Sequence, residues 1–412
     1  MDFLEKHKNG VFFLTAVSAG SSVLAMLANY LYNIFMARSI PLDQYGKLSI
    51  AIAIITVLSI PSGSFSTFFT REFSKLQSAP EKIAFIANKY SKLLFFAFSI
   101  LSGGIAVYFV AAGSPEAAMV VLALPAVYAA LPLFSMMQAR EDIIALSGLN
   151  LLGNLIKLAV GIGLVGMGFG LFGASAAIAI PSLLVLFAAL FLLRGSLAVT
   201  KEPHDVSLRK PVLLMIAIML LQGLFLYADL FAIQFFFGNE KTGVYNVAET
   251  TAKITFFLSG AVIITFFPKA AKLDFSKALE AAKLFFGSAA FLVPSTAVFL
   301  IFPSQLIRFF YGEKFAPAVE PFWLLALGFF VFSLFNIVQS ALLSKGREKE
   351  VLAMNAIGLL VHASLLAFLV PSMGMIGAAV SVAASSAVLL ALSVVSLLRF
   401  MRHEGNAHSV AS

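Results

Sequence analysis

Residues 170–193 read GLFGASAAIAIPSLLVLFAALFLL, a run of 24 residues without a charged side chain. About 20 apolar residues in a helix cross the ~30 Å hydrocarbon core of a bilayer, so this run predicts a transmembrane helix. Similar runs recur through the 412-residue chain, which is 60% hydrophobic and only 12% charged. Soluble domains carry roughly 45–50% apolar and about 25% charged residues. The composition therefore predicts an all-α polytopic membrane protein and excludes soluble enzymes.

Apolar runs separated by basic clusters, Gly/Pro turns and polar stretches predict about twelve transmembrane helices. They lie near 11–36, 46–69, 93–112, 116–137, 146–166, 171–193, 211–237, 244–267, 284–303, 319–342, 350–370 and 374–398. The first run is too long for the apolar region of a signal peptide, so it is interpreted as an uncleaved span.

The distribution of basic residues predicts the orientation in the membrane. Of the 28 Lys and Arg residues, twenty-one fall in connections on one side. Five fall on the other side, namely Arg38, Lys47, Lys241, Arg308 and Lys314. The positive-inside rule then places both termini in the cytoplasm. The net charge of +8 is interpreted as a topology signal, and no nucleic-acid partner is expected.

Three short motifs occur once in each half of the chain, in the same order. The motif T-F-F-[TP]-[RK] occupies 67–71 and 265–269, N-x-x-G-x-x-x-[KH] occupies 150–157 and 355–362, and G-[LM]-[FI]-G-A occupies 170–174 and 374–378. This repeat predicts two six-helix lobes, related by a pseudo-twofold axis along the membrane normal, around a central cavity. The predicted organisation is an N-terminal lobe at 1–198, a cytoplasmic linker at 199–210, and a C-terminal lobe with a short cytoplasmic tail at 211–412.

Four ionisable residues fall near the middle of predicted spans: Lys157, Asp229, Lys253 and His362. Each lies roughly 11–13 residues from the external turn of its hairpin, which is about 17–20 Å deep. A charge at that depth costs at least ~2.5–3.5 kcal/mol, so it must face a cavity or a partner. We expect a polar belt with net positive charge between the lobes, which favours an anionic, phosphate-bearing substrate.

Helical spacing extends this set of candidates. The spacing i, i+3, i+7 places Asn150, Gly153 and Lys157 on one helix face, and Asn246, Glu249 and Lys253 repeat it. The candidate substrate-binding residues are therefore Lys157, Lys253, Asn150 and Asn246. The candidate ion-coupling residues are Asp229, His362 and Glu249. Residues predicted to lie at the inner mouth, where they could gate access, are Arg71, Glu72 and Lys269.

Structural interpretations of the same residues stay open. Lys253 could simply be neutralised by Asp229 at equal depth, or by Glu249 one helical turn earlier. His362 could be a core histidine that is hydrogen-bonded to a backbone carbonyl. Tyr245 and Asn246 could be ordinary interfacial residues, and the side chains at the inner mouth could reach the head groups by snorkelling.

Several chemistries are excluded or unsupported. The chain has no cysteine, and its five histidines form no pair at metal-ligand spacing. It has no P-loop motif, and no long external loop carries paired carboxylates. We therefore expect a protein that is not an enzyme and has no catalytic residues, metal site or cofactor.

Six segments resemble the oligosaccharide flippases (Wzx-like polysaccharide biosynthesis proteins) of the multidrug/oligosaccharidyl-lipid/polysaccharide exporter superfamily. They are Gln44-Tyr-Gly-Lys-Leu-Ser49, Tyr227-Ala-Asp229, Gly243-Val-Tyr-Asn-Val-Ala248, Tyr311-Gly-Glu-Lys-Phe315, Leu342-Leu-Ser-Lys-Gly-Arg347 and Gly374-Met-Ile-Gly-Ala-Ala379. The resemblance covers nearly the whole chain. It implies a V-shaped twelve-helix fold, a cationic cavity and alternating access driven by a proton or sodium gradient. The acid of the seventh helix in the family pattern carries over to Asp229, whereas the arginine-rich spans of the family are absent here.

The expected function is an inner-membrane flippase that moves polyprenyl (undecaprenyl) pyrophosphate-linked oligosaccharide to the external leaflet for O-antigen, capsule or exopolysaccharide synthesis. Its partners would be membrane lipid, this substrate and a polymerase or ligase of the same pathway. One alternative is a cation-coupled multidrug exporter of the same superfamily. A membrane glycan polymerase or transferase is an alternative of another class.

Overall fold

The computed structural model describes residues 11–197, 210–272 and 278–411, and all regular secondary structure in these ranges is helical. The predicted linker at 199–210 lies almost entirely outside them. The chain divides into two compact units, Met1–Ile216 and Ala217–Ser412.

Residues 11–197 of the first unit form six helices, two of which are each divided into two segments. They are α1 (Val11–Ser39), α2 (Leu42–Ser59 and Ser62–Lys75), α3 (Pro80–Ala111), α4 (Pro115–Val121 and Leu124–Ala139), α5 (Ile143–Gly166) and α6 (Gly170–Leu197). Small residues allow close packing here, since a Cβ added to Gly161 of α5 would lie 2.6 Å from the Met36 side chain of α1. Tyr32 of α1 also donates a 2.7 Å hydrogen bond to the backbone carbonyl of Ala174 in α6. These contacts hold α1 against α5 and α6.

Six more helices follow: α7 (210–237), α8 (239–272), α9 (Ala278–Ala290 and Val293–Ile301), α10 (Val319–Ser344), α11 (348–373) and α12 (375–411). Between α9 and α10 lie a short helix, Pro303–Tyr311, and a 3₁₀ turn, Glu313–Ala318. Phe225, Phe332 and Phe256 form an aromatic core, with ring centroids 4.7 and 5.4 Å apart along this series.

Two glycines divide continuous helical runs into separate spans. The run Val212–Ile263 has 52 residues and Glu348–Met401 has 54, whereas a straight helix of that length would measure about 80 Å. Gly238 (φ 75°, ψ −171°) and Gly374 (φ 59°, ψ −134°) break these runs at conformations that only glycine adopts readily. Each run therefore contains two of the predicted spans.

The hydropathy and length of the helices agree with the membrane spans predicted from the sequence. Eight helices of the described chain are long and apolar enough to cross a membrane, or nine if the pair Phe285–Ile301 and Pro303–Tyr311, bent by 81°, forms one span. Two of the eight are the runs broken at Gly238 and Gly374. All twelve predicted spans fall on helices, and the all-α polytopic prediction is confirmed.

The boundaries differ most at α3, which begins at Pro80 and not near residue 93. Residues 80–92 are amphipathic: Ile83 and Ile86 are buried, while Glu81 and Lys92 are exposed. Hydropathy detects the part of a helix that lies in lipid, and so it misses this charged extension. The short helix Pro303–Tyr311 was also not predicted.

Large apolar side chains are exposed on the spans. Phe235 is 81% exposed, and Ile100 and Phe368 are each 79% exposed. A soluble protein rarely exposes such side chains in quantity, whereas a bilayer solvates them favourably. The chain is therefore a multi-pass membrane protein.

Candidate functional site

A cavity of about 410 Å³ lies within the first unit, lined by residues of α2, α4, α5 and α6. Its wall is mostly apolar. The polar residues that line it are Thr56, Ser59, Asn150, Asn154, Lys157 and Ser182. Three of these, Asn150, Asn154 and Lys157, lie on one face of α5 because their spacing is i, i+4 and i+7. Asn150 and Lys157 thus share one face of α5, as the spacing predicts, and both line the cavity.

Lys157 supplies the positive charge of this cavity. Its Nζ donates a 2.8 Å hydrogen bond to Oδ1 of Asn29 and lies 4.3 Å from the ring centroid of Tyr32. No carboxylate within ion-pair distance of Lys157 is found in the described chain. The amide oxygen and the electron-rich ring face stabilise the ammonium group while leaving its formal charge unpaired. An anion entering the cavity would therefore meet an uncompensated cation.

A second polar cluster is buried in the other unit, between α7, α8 and α11. Asp229, Glu249 and His362 are fully buried, and Lys253 is 3% exposed. Lys253 forms an ion pair with Oε1 of Glu249, one helical turn away on α8. Its Nζ also lies 3.7 Å from the ring centroid of Tyr227. Asp229 instead accepts a 2.7 Å hydrogen bond from the Tyr245 hydroxyl.

Three polar atoms of this cluster have no hydrogen-bond partner among the described residues: Oδ1 of Asp229, Oε2 of Glu249 and Nε2 of His362. The two carboxyl groups lie close enough to interact electrostatically, and so do His362 and Asp229. Two carboxylates and one ammonium carry a formal charge of −1 when all are ionised. Because an unpaired buried charge is costly, this net charge favours the uptake of one proton by the cluster.

His362 of α11 contacts α12 at Ser385. Its Nδ1 lies 2.9 Å from Oγ of Ser385, and its ring packs 4.6 Å from that of Phe225. The Ser385 hydroxyl is thus one partner of His362, and the backbone of Ser381 also forms a hydrogen bond with it, as was considered from the sequence. Asn246 is 8% exposed and accepts a 3.3 Å hydrogen bond from Thr250. Both it and Tyr245 are buried, so neither is an ordinary interfacial residue.

Two of the residues predicted at the inner mouth, Arg71 and Glu72, do not line the cavity of the first unit. Arg71 is exposed at the end of α2, and Glu72 forms a 2.5 Å ion pair with Lys75 in the same helix. Exposed pairs of this kind contribute little to stability. The backbone of Lys269 is helical, and its side chain lies outside the described part of the structure.

Four further residues belong to these sites: Asn29 and Tyr32 at Lys157, Tyr227 at Lys253, and Ser385 at His362. Asn29 and Tyr32 lie three residues apart, and so on one face of α1. This spacing of two polar residues is the sequence feature that could have identified them as site residues. Among the described residues, no group of three His, Cys, Asp or Glu side chains could hold a metal ion.

The fold and these buried groups define a multi-pass helical membrane protein with a basic cavity in one unit and an acidic cluster in the other. No protein-family model and no curated protein matches the sequence. Solved structures do match, and several of them are transporters of the MOP superfamily. The inward-facing conformation of a multidrug resistance MATE family transporter aligns with a TM-score of 0.74 over 93% of this chain and 96% of that chain, at 10% identity.

Two more matches extend the comparison. The lipid II flippase MurJ, in an inward closed conformation, aligns with a TM-score of 0.63 at 12% identity, over 96% of this chain and 90% of that chain. A MOP superfamily transporter from Pyrococcus furiosus, described as having a binding pocket of reverse polarity, aligns with a TM-score of 0.63 at 14% identity, over 95% and 94%. The chain therefore has the fold of MOP superfamily transporters, in which two lobes comprise twelve transmembrane helices.

Proposed function

We propose that this protein is a flippase that translocates a polyprenyl pyrophosphate-linked oligosaccharide from the cytoplasmic to the external leaflet for surface polysaccharide synthesis. The observation that carries this proposal is the unpaired ammonium of Lys157 on the cavity of the first unit. The acidic residues of 11–197 are Asp43, Glu72, Glu81, Glu116, Glu141 and Asp142, all at or near helix ends. A cavity of this polarity favours a pyrophosphate over a cationic drug.

The neutral polar residues of the cavity support a sugar-bearing ligand. Asn150, Asn154 and Ser182 carry hydrogen-bonding groups that match sugar hydroxyls without adding charge. The polyprenyl tail would stay in the bilayer, where the exposed apolar faces of the spans solvate it. Both termini would lie in the cytoplasm, as the basic residues predict, and a polymerase or ligase would receive the product.

The acidic cluster of the second unit is proposed as the coupling site. Asp229 and Glu249 would bind a proton or a sodium ion from the gradient, with Lys253 and His362 setting the local charge. The unpartnered carboxylate oxygens support this role. Lys253 would act here and not in substrate binding, because its ammonium is already neutralised by Glu249.

Complementation of a deletion strain tests the flippase proposal. Lipid extracts are analysed by mass spectrometry and the cell surface is stained for glycan, with membrane levels of each variant measured. We expect Lys157→Gln to leave lipid-linked oligosaccharide accumulated and the surface bare, and Lys157→Arg to restore part of the transport. Lys92→Gln, at an exposed lysine of α3, is the matched control and should behave as wild type.

The second candidate is a cation-coupled multidrug exporter, favoured by the fold likeness to MATE transporters and by the acidic cluster. It predicts unchanged lipid intermediates in the deletion strain and an altered drug tolerance on expression. Normal surface glycan in a deletion strain that lacks a redundant transporter would reject the flippase and leave the exporter.

A further inference from the structure

A second cavity, of about 490 Å³, lies between α11 and α12 at the end of the second unit. One wall is apolar and includes Met354, Ile357, Leu392 and Val395. The end nearest the start of α11 is polar and carries Arg347 and Arg399. A space with one apolar wall and one cationic end has the shape and polarity of an anionic amphiphile.

The polar end carries a net positive charge. Arg347 is paired with Glu350, and Oγ of Ser396 donates a 2.6 Å hydrogen bond to the other oxygen of Glu350. Arg399 interacts with the same carboxylate only electrostatically. Two guanidinium groups thus share one carboxylate, which leaves a formal charge of +1. Arginine is well suited to hold a phosphate, because its fork of N–H donors can bind two oxygens at once.

The apolar wall is open at the protein surface. Ile357 is 45% exposed and Val395 is 46% exposed, and both lie in spans that face lipid. A hydrocarbon chain can therefore lie along this wall while the phosphate reaches the arginines. Basic pockets between transmembrane helices on the cytoplasmic side are suited to anionic lipid head groups. The basic connections predict that this end of α11 and α12 faces the cytoplasm.

We propose that this cavity binds the phosphate of an anionic phospholipid from the cytoplasmic leaflet, held by Arg347 and Arg399. The bound lipid is a resident ligand of the second unit and is not the transported substrate. The proposal is independent of the flippase assignment, since neither Lys157 nor the acidic cluster contributes to it.

Binding can be measured on the purified full-length protein by native mass spectrometry. The probes are phosphatidylglycerol and phosphatidylcholine with identical acyl chains. We expect the wild type to prefer phosphatidylglycerol. A basic residue near an anionic surface contributes about 1 kcal/mol, so Arg399→Gln should weaken phosphatidylglycerol binding about fivefold. The matched control is Arg194→Gln, an exposed arginine stacked on Phe191 in the other unit, which should change nothing.

Two further variants separate a lipid site from a merely structural role. Glu350→Gln removes the competing carboxylate and should strengthen phosphatidylglycerol binding, a change opposite in sign to that of Arg399→Gln. Ile357→Trp places a larger side chain on the apolar wall of the cavity. It should weaken binding of the lipid without altering the charge of the cavity.

Each of these measurements has a result that would overturn the lipid-binding proposal. Equal losses in Arg399→Gln and Arg194→Gln, or an unchanged preference in the double variant Arg347→Gln/Arg399→Gln, would overturn the proposal. Displacement of the lipid by equimolar inorganic phosphate would show a site for soluble phosphate and would overturn the lipid assignment. Normal lipid binding by a folded Ile357→Trp protein would overturn the placement of the acyl chain.

Discussion

The hydroxyl of Tyr245 donates a 2.7 Å hydrogen bond to Oδ2 of Asp229, and both residues are fully buried. They lie on α8 and α7, which are joined at the Gly238 bend. This bend brings the two helices together at the depth of Asp229. Because this hydrogen bond joins the two helices that meet at the bend, the geometry of the bend and the charge state of the acidic cluster depend on each other.

Removing this hydroxyl should destabilise the protein and disturb the cluster. In Tyr245→Phe, Oδ2 of Asp229 loses its partner, and an unsatisfied buried acceptor costs about 1–3 kcal/mol. We expect a lower thermal unfolding temperature in detergent and a shifted pH profile of transport. Tyr108→Phe, at a tyrosine 68% exposed on α3, is the control and should leave both unchanged. A pH profile identical to wild type would contradict the role of Tyr245 at the coupling site.

Lys253 and Glu249 should behave as an energetically coupled pair. Lys253→Met leaves a buried carboxylate without its counter-ion, which costs about 3–5 kcal/mol. Adding Glu249→Gln should recover much of this loss, because both charges of the pair are then gone and the formal charge of the cluster returns to −1. A double-mutant cycle of chemical or thermal unfolding measures the coupling. Additive effects of the two changes would show that the pair contributes no coupling energy.

Gly238 should not tolerate a side chain. Its φ of 75° with ψ of −171° is a region that is essentially restricted to glycine, and a residue forced there costs about 1–3 kcal/mol. Gly238→Ala should therefore lower stability and the yield of folded protein in the membrane. Gly103→Ala, inside α3 with no atom near the added Cβ, is the matched control and should be neutral or stabilising. Equal behaviour of the two variants would argue against the bend.

The close approach of α11 and α12 depends on Gly358. A Cβ at this position would overlap the Leu389 side chain, so Gly358→Ala should cost about 1–3 kcal/mol by overpacking. Leu389→Ala alone leaves a cavity and should also destabilise the protein. The double variant should be more stable than the sum of the two losses, because the new methyl group fills part of the vacated space. Simple additivity in thermal unfolding would show that the two residues do not touch.

Much of the fold could be predicted from local sequence. Each span needs only its own apolar residues, and hydrogen bonds within a helix satisfy its backbone in lipid. The boundary of α3 and the helix Pro303–Tyr311 were not predicted, because both segments are amphipathic and lack this uniform apolar signal.

The candidate site was predictable as a set of residues but not as a set of contacts. The cost of burying Lys157, Asp229, Lys253 and His362 marked them from sequence alone, since a charge in a span demands a partner or a cavity. Helical spacing also placed Asn150 on the face of Lys157. Both inferences rest on properties that one helix carries by itself.

The partners were decided by the tertiary structure. Lys253 had two possible acids and pairs with Glu249, while Asp229 is engaged by Tyr245. Asn29 reaches Lys157 from 128 residues away, and Ser385 reaches His362 from the next helix. The sequence by itself determined which residues must be shielded from lipid, because that depends on the free energy of transferring each side chain from water to lipid. Only helix packing determined where they went, because partner choice depends on the rotation and crossing of helices that are distant in the chain.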